Sequence, residues 1–345
     1  MKDCTCGICP VCKEKDAFLG EIYNSPEMKA EDEKFQNSIS IGKKAANSAS
    51  TVLIYGETGT GKELFAQSIH NESSRGDKPF IAQNCAALPE TLLEGILFGT
   101  VKGSFTGAIN RPGLFEQASG GTLLLDEINS MGLPLQAKLL RVLQEGYVRR
   151  IGGLNEILLD VRIIATTNEE PQELVENGLL RKDLYYRLNV IALNIPPLRE
   201  RKKDIPTLVD HFIKKYNVRL KKDIWYLAND VKEAFLHHDW PGNVRELENL
   251  IESAMNMVNK EHIIKPEHFT YEVYNKMFSN IQNTYSINME ENKSLDEILK
   301  QIETSLISDA MASCGGNISK SAEKLGIKRQ TLQHKLKKYG MLKEE

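Results

Sequence analysis

A chain of 345 residues has room for two or three domains, and its 41% hydrophobic and 26% charged residues are ordinary for a folded globular protein. The net charge of −3 excludes a bulk electrostatic pull on nucleic acid, yet residues 317–340 hold seven Lys/Arg and one Glu, a local +6 that leaves −9 for the rest and points to a nucleic-acid site at one end. No apolar run approaches the ~18 residues of a membrane span, and none follows Met1–Cys4 as in a signal peptide, so no membrane partner is expected and a cytoplasmic location is.

Residues 1–30 read as a Cys-rich segment without fixed structure. Cys4, Cys6, Cys9 and Cys12 are the residue types that ligate zinc or an iron–sulfur cluster, but four ligands in nine residues is cramped, and structural zinc usually takes two separated pairs. Five apolar runs of strand length come next: Thr51–Tyr55, Phe80–Gln83, Thr122–Leu125, Val161–Ala165 and Val190–Ile195. They are rich in Val, Ile and Leu and do not alternate with polar residues, which marks strands buried on both faces of a parallel sheet. Helical stretches lie between them, such as Lys62–His70 and Leu133–Gln144, the latter stopped at Gly146. Strands alternating with helices predict an α/β fold over residues 31–198.

From Leu198 the text turns helical, with Ile205–Tyr216, Asp230–His238 and Val244–Met257, which predicts a smaller all-helical subdomain over 199–258. The polar stretch 259–293 reads as a linker. Ser294 and Glu297 form a capping box that opens a last all-α domain, 294–345, and Leu295, Ile298, Leu299, Ile302 and Leu306 share one helix face.

Gly56-Glu57-Thr58-Gly59-Thr60-Gly61-Lys62 follows an apolar strand and precedes a helix. Phosphate binding requires that placement: the glycines let successive backbone N–H groups curl round the phosphates, the helix start adds positive potential, and Lys62 reaches the outer phosphates. Glu63 stands where the general pattern has Ser or Thr. A Gly-rich turn with no ligand is the bland alternative, and Gly120–Glu127 weakens it. That segment is an apolar strand ending in Asp126, which can hold Mg²⁺, and Glu127, which can polarise an attacking water. Arg181 and Arg187, six residues apart, suit the arginines that a neighbouring subunit supplies in phosphoryl transfer; on spacing alone, surface or core-paired arginines are the commoner reading. A non-hydrolysing DNA-binding regulator would need a broken catalytic set, and Lys62, Asp126, Glu127 and Arg187 are all present.

At the basic end, Asn317–Leu325 reads as a short helix with Asn317 as cap, Gly326 as breaker, and Lys328–Tyr339 as a second helix with Leu332 and Leu336 inward. Helix, Gly turn, helix is a helix-turn-helix, whose second helix enters the major groove. Arg329 and Gln330 can read bases, and Lys328, Thr331, His334 and Lys335 face bases or phosphates. One such motif buries little surface, so a dimer on a palindromic site is expected.

GETGTGKE (Gly56–Glu63), KGSFTGA (Lys102–Ala108), GGTLLLDEI (Gly120–Ile128), ATTN (Ala165–Asn168), RKDLYYRLNV (Arg181–Val190) and WPGNVRELEN (Trp240–Asn249) together resemble the AAA+ domain of bacterial sigma-54-dependent transcription activators. The C-terminal segment resembles the family's Fis-type helix-turn-helix, and the finer texture is similar to arginine-utilisation regulators. The resemblance implies an AAA+ P-loop domain, a parallel sheet with a helical lid, followed by the all-α DNA-binding domain. It makes Glu63 ordinary for the family. It implies ATP as substrate, Asp126 as Mg²⁺ ligand and Glu127 as catalytic carboxylate. Asn84 matches the residue that restrains that Glu, Thr167 and Asn168 the γ-phosphate sensor, Arg181 and Arg187 the in-trans arginines, and Arg245 the second sensor on the lid. It also implies a hexameric ring when active, upstream enhancer DNA, and sigma-54 RNA polymerase holoenzyme as partner.

Gly103-Ser104-Phe105-Thr106-Gly107-Ala108 stands where the family reads GAFTGA, the loop that touches sigma-54. From the residues alone, a Gly turn with its Phe in the core is the better reading, and the surrounding motifs reverse it. Ser104 in place of Ala adds only a hydroxyl. Gly152-Gly153 is expected to form a second loop on the same face. The family places a sensory or receiver domain before its AAA+ domain, and about 30 residues are too few for one. Signal input therefore stays open between a constitutive, a trans-regulated and a truncated form.

Overall fold

The computed structural model describes residues 33–104, 108–259, 261–282 and, with gaps, 303–339, in two compact units that divide between Phe269 and Thr270. The first unit runs α1 (Glu33–Ala46), β1 (Val52–Tyr55), α2 (Lys62–Asn71), β2 (Phe80–Asn84), α3 (Glu90–Phe98), β3 (Gly99–Thr100), β4 (Arg111–Pro112), α4 (Leu114–Gln117), β5 (Thr122–Asp126) and α5 (Leu133–Glu145). It continues through β6 (Tyr147–Arg149), β7 (Glu156–Leu158), β8 (Arg162–Thr167), α6 (Pro171–Glu176), α7 (Lys182–Leu188) and β9 (Ile191–Asn194), then α8 (Ile205–Leu220), β10 (Tyr226–Leu227), α9 (Asn229–His237), α10 (Asn243–Met257) and β11 (Ile263–Ile264).

The five expected strands form one parallel sheet in the order β2-β5-β8-β1-β9. Both its faces are covered, which is why the strands do not alternate. Leu53, Leu123 and Leu125 point into one core with Leu97, Phe115 and Leu139, while Ile54, Leu124 and Ile164 point into the other with Phe65 and Ile69. The register sets Asn84 beside Asp126 and Tyr55 beside Thr167, so the carboxyl ends of four strands open on one edge. In sheets of this kind that edge is where ligands bind.

Two hairpins rise from the sheet. β3 and β4 pair antiparallel and enclose residues 101–110, and β6 and β7 enclose Gly152-Gly153. They are tied together where Val101 N–H donates to Ile151 O (3.1 Å) and Ile151 N–H to Gly99 O (2.9 Å).

The helical subdomain holds α8, α9 and α10 around fully buried Trp240, whose indole N–H donates to Phe235 O at 2.8 Å. Part of the stretch expected as a linker from residue 259 belongs to the first unit, which runs to Phe269. Ile263–Ile264 pairs parallel with Tyr226–Leu227, and Phe269 packs edge-on to Phe235 at 5.9 Å. Two-residue strands closing a helical layer leave no periodicity to read.

The second unit contains α11 (Tyr271–Gln282), α12 (Ile318–Lys324) and α13 (Arg329–Lys338). Asn317 caps α12 by accepting from the Ser319 and Lys320 N–H groups, and Gly326, at φ +65°, makes the turn. Ala322, Leu332 and Leu336 bury against Ile307. The capping box at Ser294 and Glu297 lies outside the described residues.

Candidate nucleotide site

The loop after β1 is shaped by its glycines. Gly59 and Gly61 sit at φ +81° and +101°, and a Cβ on Gly59 would lie 2.3 Å from Gly242 O, so only glycine fits between the loop and the lid. Lys62 begins α2 with its side chain buried, its ammonium donating to Gly56 O (2.6 Å) and Glu57 O (3.0 Å). Burial holds that ammonium below the usual lysine range; the Asp126, Glu127 and Glu57 charges oppose the shift and Arg245 adds to it. Thr60 turns its hydroxyl back to Glu57 O at 2.8 Å. Glu63 lies in the first helical turn, where a carboxylate suits the helix dipole.

At the end of β5, Asp126 is held from two sides. Asn84 donates to its Oδ2 at 2.9 Å and the Thr166 hydroxyl to its Oδ1 at 2.5 Å. The same Thr166 oxygen accepts from the Glu127 N–H at 3.0 Å. Glu127 itself is left-handed, at φ +55°, a conformation a Glu adopts only where its surroundings impose it. The β2–β5 register pairs Asn84 with Asp126 directly, and its amide N–H goes to Asp126 and not to the Glu127 carboxylate it was expected to hold. The Asn84 oxygen accepts from the Ala86 and Ala87 N–H groups, which fixes its amide.

Of the two expected sensor residues, Thr167 spends its hydroxyl on Glu169, donating to its carbonyl and accepting from its N–H. Its neighbour Thr166 is the threonine that reaches the Asp126 carboxylate and the Glu127 N–H. Asn168 accepts at Oδ1 from Asn129 Nδ2 (2.9 Å).

The lid closes over the loop through contacts distant in sequence. Asn243 is fully buried and left-handed (φ +53°). It accepts from the Leu198 N–H (2.8 Å) and donates to Glu57 Oε2 (3.2 Å) and Thr58 O (3.0 Å). Arg199 grips Glu57 with both guanidinium arms (2.8 and 2.5 Å) and holds that carboxyl below the usual range, with Asn243 assisting. Val244 and Arg245 donate backbone N–H groups to Gly59 O (3.0 and 3.3 Å), which seats Arg245 on the first turn of α10 beside Lys62.

Arg181 and Arg187 are set apart from this cluster. Arg181 forms a bidentate pair with Asp183 (3.0 and 2.7 Å), and the exposed Arg187 donates to Leu143 O (3.1 and 2.5 Å). In the β3–β4 loop, Gly103 is left-handed (φ +88°), and Ser104 donates its N–H and hydroxyl to Val101 O (3.2 and 2.9 Å). A Cβ on Gly152 would lie 2.6 Å from Ser104 Cβ, so the two expected loops meet here. Ala108 is buried; Phe105, Thr106 and Gly107 lie outside the described residues.

Lys328, just before α13, and Arg329, Gln330, Thr331 and His334 on it are exposed. Lys335 instead pairs with Glu303, which also takes the Tyr339 hydroxyl. Cys4, Cys6, Cys9 and Cys12 lie outside the described residues. Burial pushes the Cys85 thiol up to about 12, which leaves it unreactive. Among the described residues no helix is long and apolar enough to cross a membrane.

Residues 28–194 match the Sigma-54 interaction domain, 199–285 the AAA+ ATPase lid domain, and 298–339 the bacterial regulatory proteins of the Fis family. The transcriptional regulatory protein ZraR of Salmonella typhimurium is 42% identical over 321 residues, covering 93% of this chain and 69% of that protein. The chain belongs to the sigma-54-interacting AAA+ transcription regulators. The transcriptional activator RocR of Bacillus subtilis is 53% identical over 305 residues, 88% of this chain and 66% of that protein. The structure of NtrX from Brucella abortus in complex with ATP, 30% identical, superposes with a TM-score of 0.65 over 96% of this chain and 73% of that one. The chain spans about half to two thirds of the length of several curated relatives, 46% for a Clostridium beijerinckii signal-transduction and transcriptional-control protein. The lid match runs to residue 285, past the boundary at 258 expected from composition.

Proposed function

We propose that the chain hydrolyses ATP and uses the energy to activate transcription by sigma-54 RNA polymerase from an upstream DNA site. The observation that carries this reading is the convergence of Lys62, Asp126, Glu127 and Asn168 at one sheet edge, under a lid that is hydrogen-bonded to the phosphate loop and brings Arg245 near Lys62. Gly56–Gly61 and Lys62 bind the phosphates of ATP, with Glu57 and Thr58 fixing the loop to the lid. The donor set at Asp126, one carboxylate steadied by an amide and a hydroxyl, fits Mg²⁺, which when bound supplies positive charge to the phosphate oxygens. Glu127 accepts a hydrogen bond from the attacking water and draws off its proton. Asn168 senses the γ-phosphate from the end of β8, and Arg245 from the lid.

Arg187 is exposed on α7 and Arg181 is half-buried at its start, which suits donation to the site of an adjoining copy in a hexameric ring. Gly103–Ala108, with the Phe105 ring as its apolar group, contacts sigma-54, and the β6–β7 turn packs against the loop at Ser104. Lys328, Arg329, Gln330, Thr331 and His334 contact enhancer DNA, the chain binding there as a dimer; Lys335 does so only if it leaves Glu303. Such partners place the protein in the cytoplasm.

The test is open-complex formation by sigma-54 polymerase with ATP and the full chain. The wild type should open the promoter, and F105A should hydrolyse ATP at the normal rate yet open none. Normal opening by F105A would contradict the partner assignment.

A further inference from the structure

Asn129 belongs to none of the motifs above, yet it touches the sensor. It sits on the single 3₁₀ turn Ile128–Ser130, which the left-handed Glu127 starts by folding the chain back over the end of β5. From there its Nδ2 donates to Asn168 Oδ1 at 2.9 Å, across to the end of the neighbouring strand β8. The ends of β5 and β8 are thus bridged twice by side chains, once by Thr166 and once by Asn129.

The contact resolves an ambiguity built into Asn168. A side-chain amide has nearly the same shape either way round, but its two ends are electrically opposite. Facing a polyphosphate, N–H groups attract and the oxygen repels. Nothing in the shape of Asn168 selects one end, so the selection must come from a neighbour. In the structure Asn129 turns its donor end to Asn168, and a donor engages the oxygen.

The arrangement is not one that packing alone would keep. Asn129 Oδ1 is buried and accepts no hydrogen bond. An unpaired buried acceptor is a cost that an apolar side chain of similar size would avoid. The amide at 129 is accounted for by what its N–H₂ group does.

We propose that Asn129 is a positioning residue for the γ-phosphate sensor: it holds the Asn168 oxygen so that Asn168 presents N–H groups to the nucleotide. The proposal rests on the sensor role of Asn168 given above. It makes an unusual demand, that the near-isosteric change be worse than truncation. Asn129→Asp keeps the shape but supplies acceptors alone, so Asn168 turns over and aims its oxygen at the phosphate. Asn129→Ala leaves Asn168 free to rotate and to find the right face part of the time.

The experiment measures kcat and KM for ATP hydrolysis by the full chain for the wild type, N129D, N129A, N168A and N129D/N168A. For N129D, kcat should fall at least about tenfold with KM changed less than about threefold, as for an interaction realised mainly in the transition state. N129A should fall less than N129D, and N129D should have no further effect in the N168A background. A packing role predicts the reverse order, since alanine leaves the cavity. N129A more damaging than N129D, or an unchanged kcat in N129D, overturns the proposal, as does an N129D loss that persists undiminished in N168A. If N168A alone keeps full kcat, the sensor reading falls and this proposal with it; if N168A is impaired and N129D is not, only the proposal falls.

Discussion

The phosphate-loop edge and α7 carry the same chemistry in opposite states. At the edge, Lys62, Asp126 and Asn168 are held by neighbours within the chain: the Gly56 and Glu57 carbonyls on Lys62, Asn84 and Thr166 on Asp126, Asn129 on Asn168, with Asn243 and Arg199 on the loop. Exposed Arg187 on α7 donates, among the described residues, only to the Leu143 carbonyl, and the Arg181 guanidinium just before the helix donates to an acid two residues away. Groups that act within their own chain are held by it. Arg181 and Arg187, under the in-trans role proposed for them, lie in contacts weak enough to exchange.

That contrast can be broken at either end. R187A should lower ATP turnover by roughly 10³-fold or more, the scale of an in-trans arginine, with the thermal midpoint unchanged. A large loss of stability would instead make Arg187 a structural residue. E127Q should lower turnover by about 10²–10⁴-fold while ATP binding persists, measured by equilibrium titration; brisk hydrolysis would remove Glu127 as the base.

Next in size is the lid clasp. N243A should cost roughly 1–3 kcal/mol of stability, because it strands the buried Leu198 N–H and strains an alanine at φ +53°. N243G, free of that strain, should recover about 1 kcal/mol of the loss by calorimetry. The smallest effect is pH-dependent. Arg199 lowers the Glu57 carboxyl in the folded chain, so the clasp stabilises at pH above the ordinary carboxylate range and fades as pH falls through the folded value. The stability deficit of E57Q against wild type should therefore shrink on acidification; a deficit that stays constant would mean that the charge of Glu57 is not what matters.

The parts of this site legible in the sequence were those with fixed local order. A strand, a Gly-rich turn and a helix start are consecutive, so Gly56–Lys62 announces itself, and the strand ending in Asp126-Glu127 does likewise. The partner of Asn84 was not legible, because it follows from the β2–β5 register, which residue types do not specify. Asn243 reaches Glu57 across 186 residues and Arg199 reaches it across 142, and such pairings exist only once the chain is folded. Thr166 and Thr167 are adjacent and alike in chemistry; only the alternation of β8 decides which one faces Asp126. The polar composition after residue 259 hid a two-residue strand whose signal lies in its pairing with Tyr226–Leu227.

The most direct test of an active site completed by a second copy is to mix two dead variants. R187A and E127Q, each inactive alone, are combined in equal amounts under conditions of subunit exchange, and ATP turnover is followed. Random mixing should regenerate intact sites at about a quarter of the interfaces and restore that share of wild-type activity. A mixture as silent as its components, in assemblies shown to contain both chains, would contradict the account.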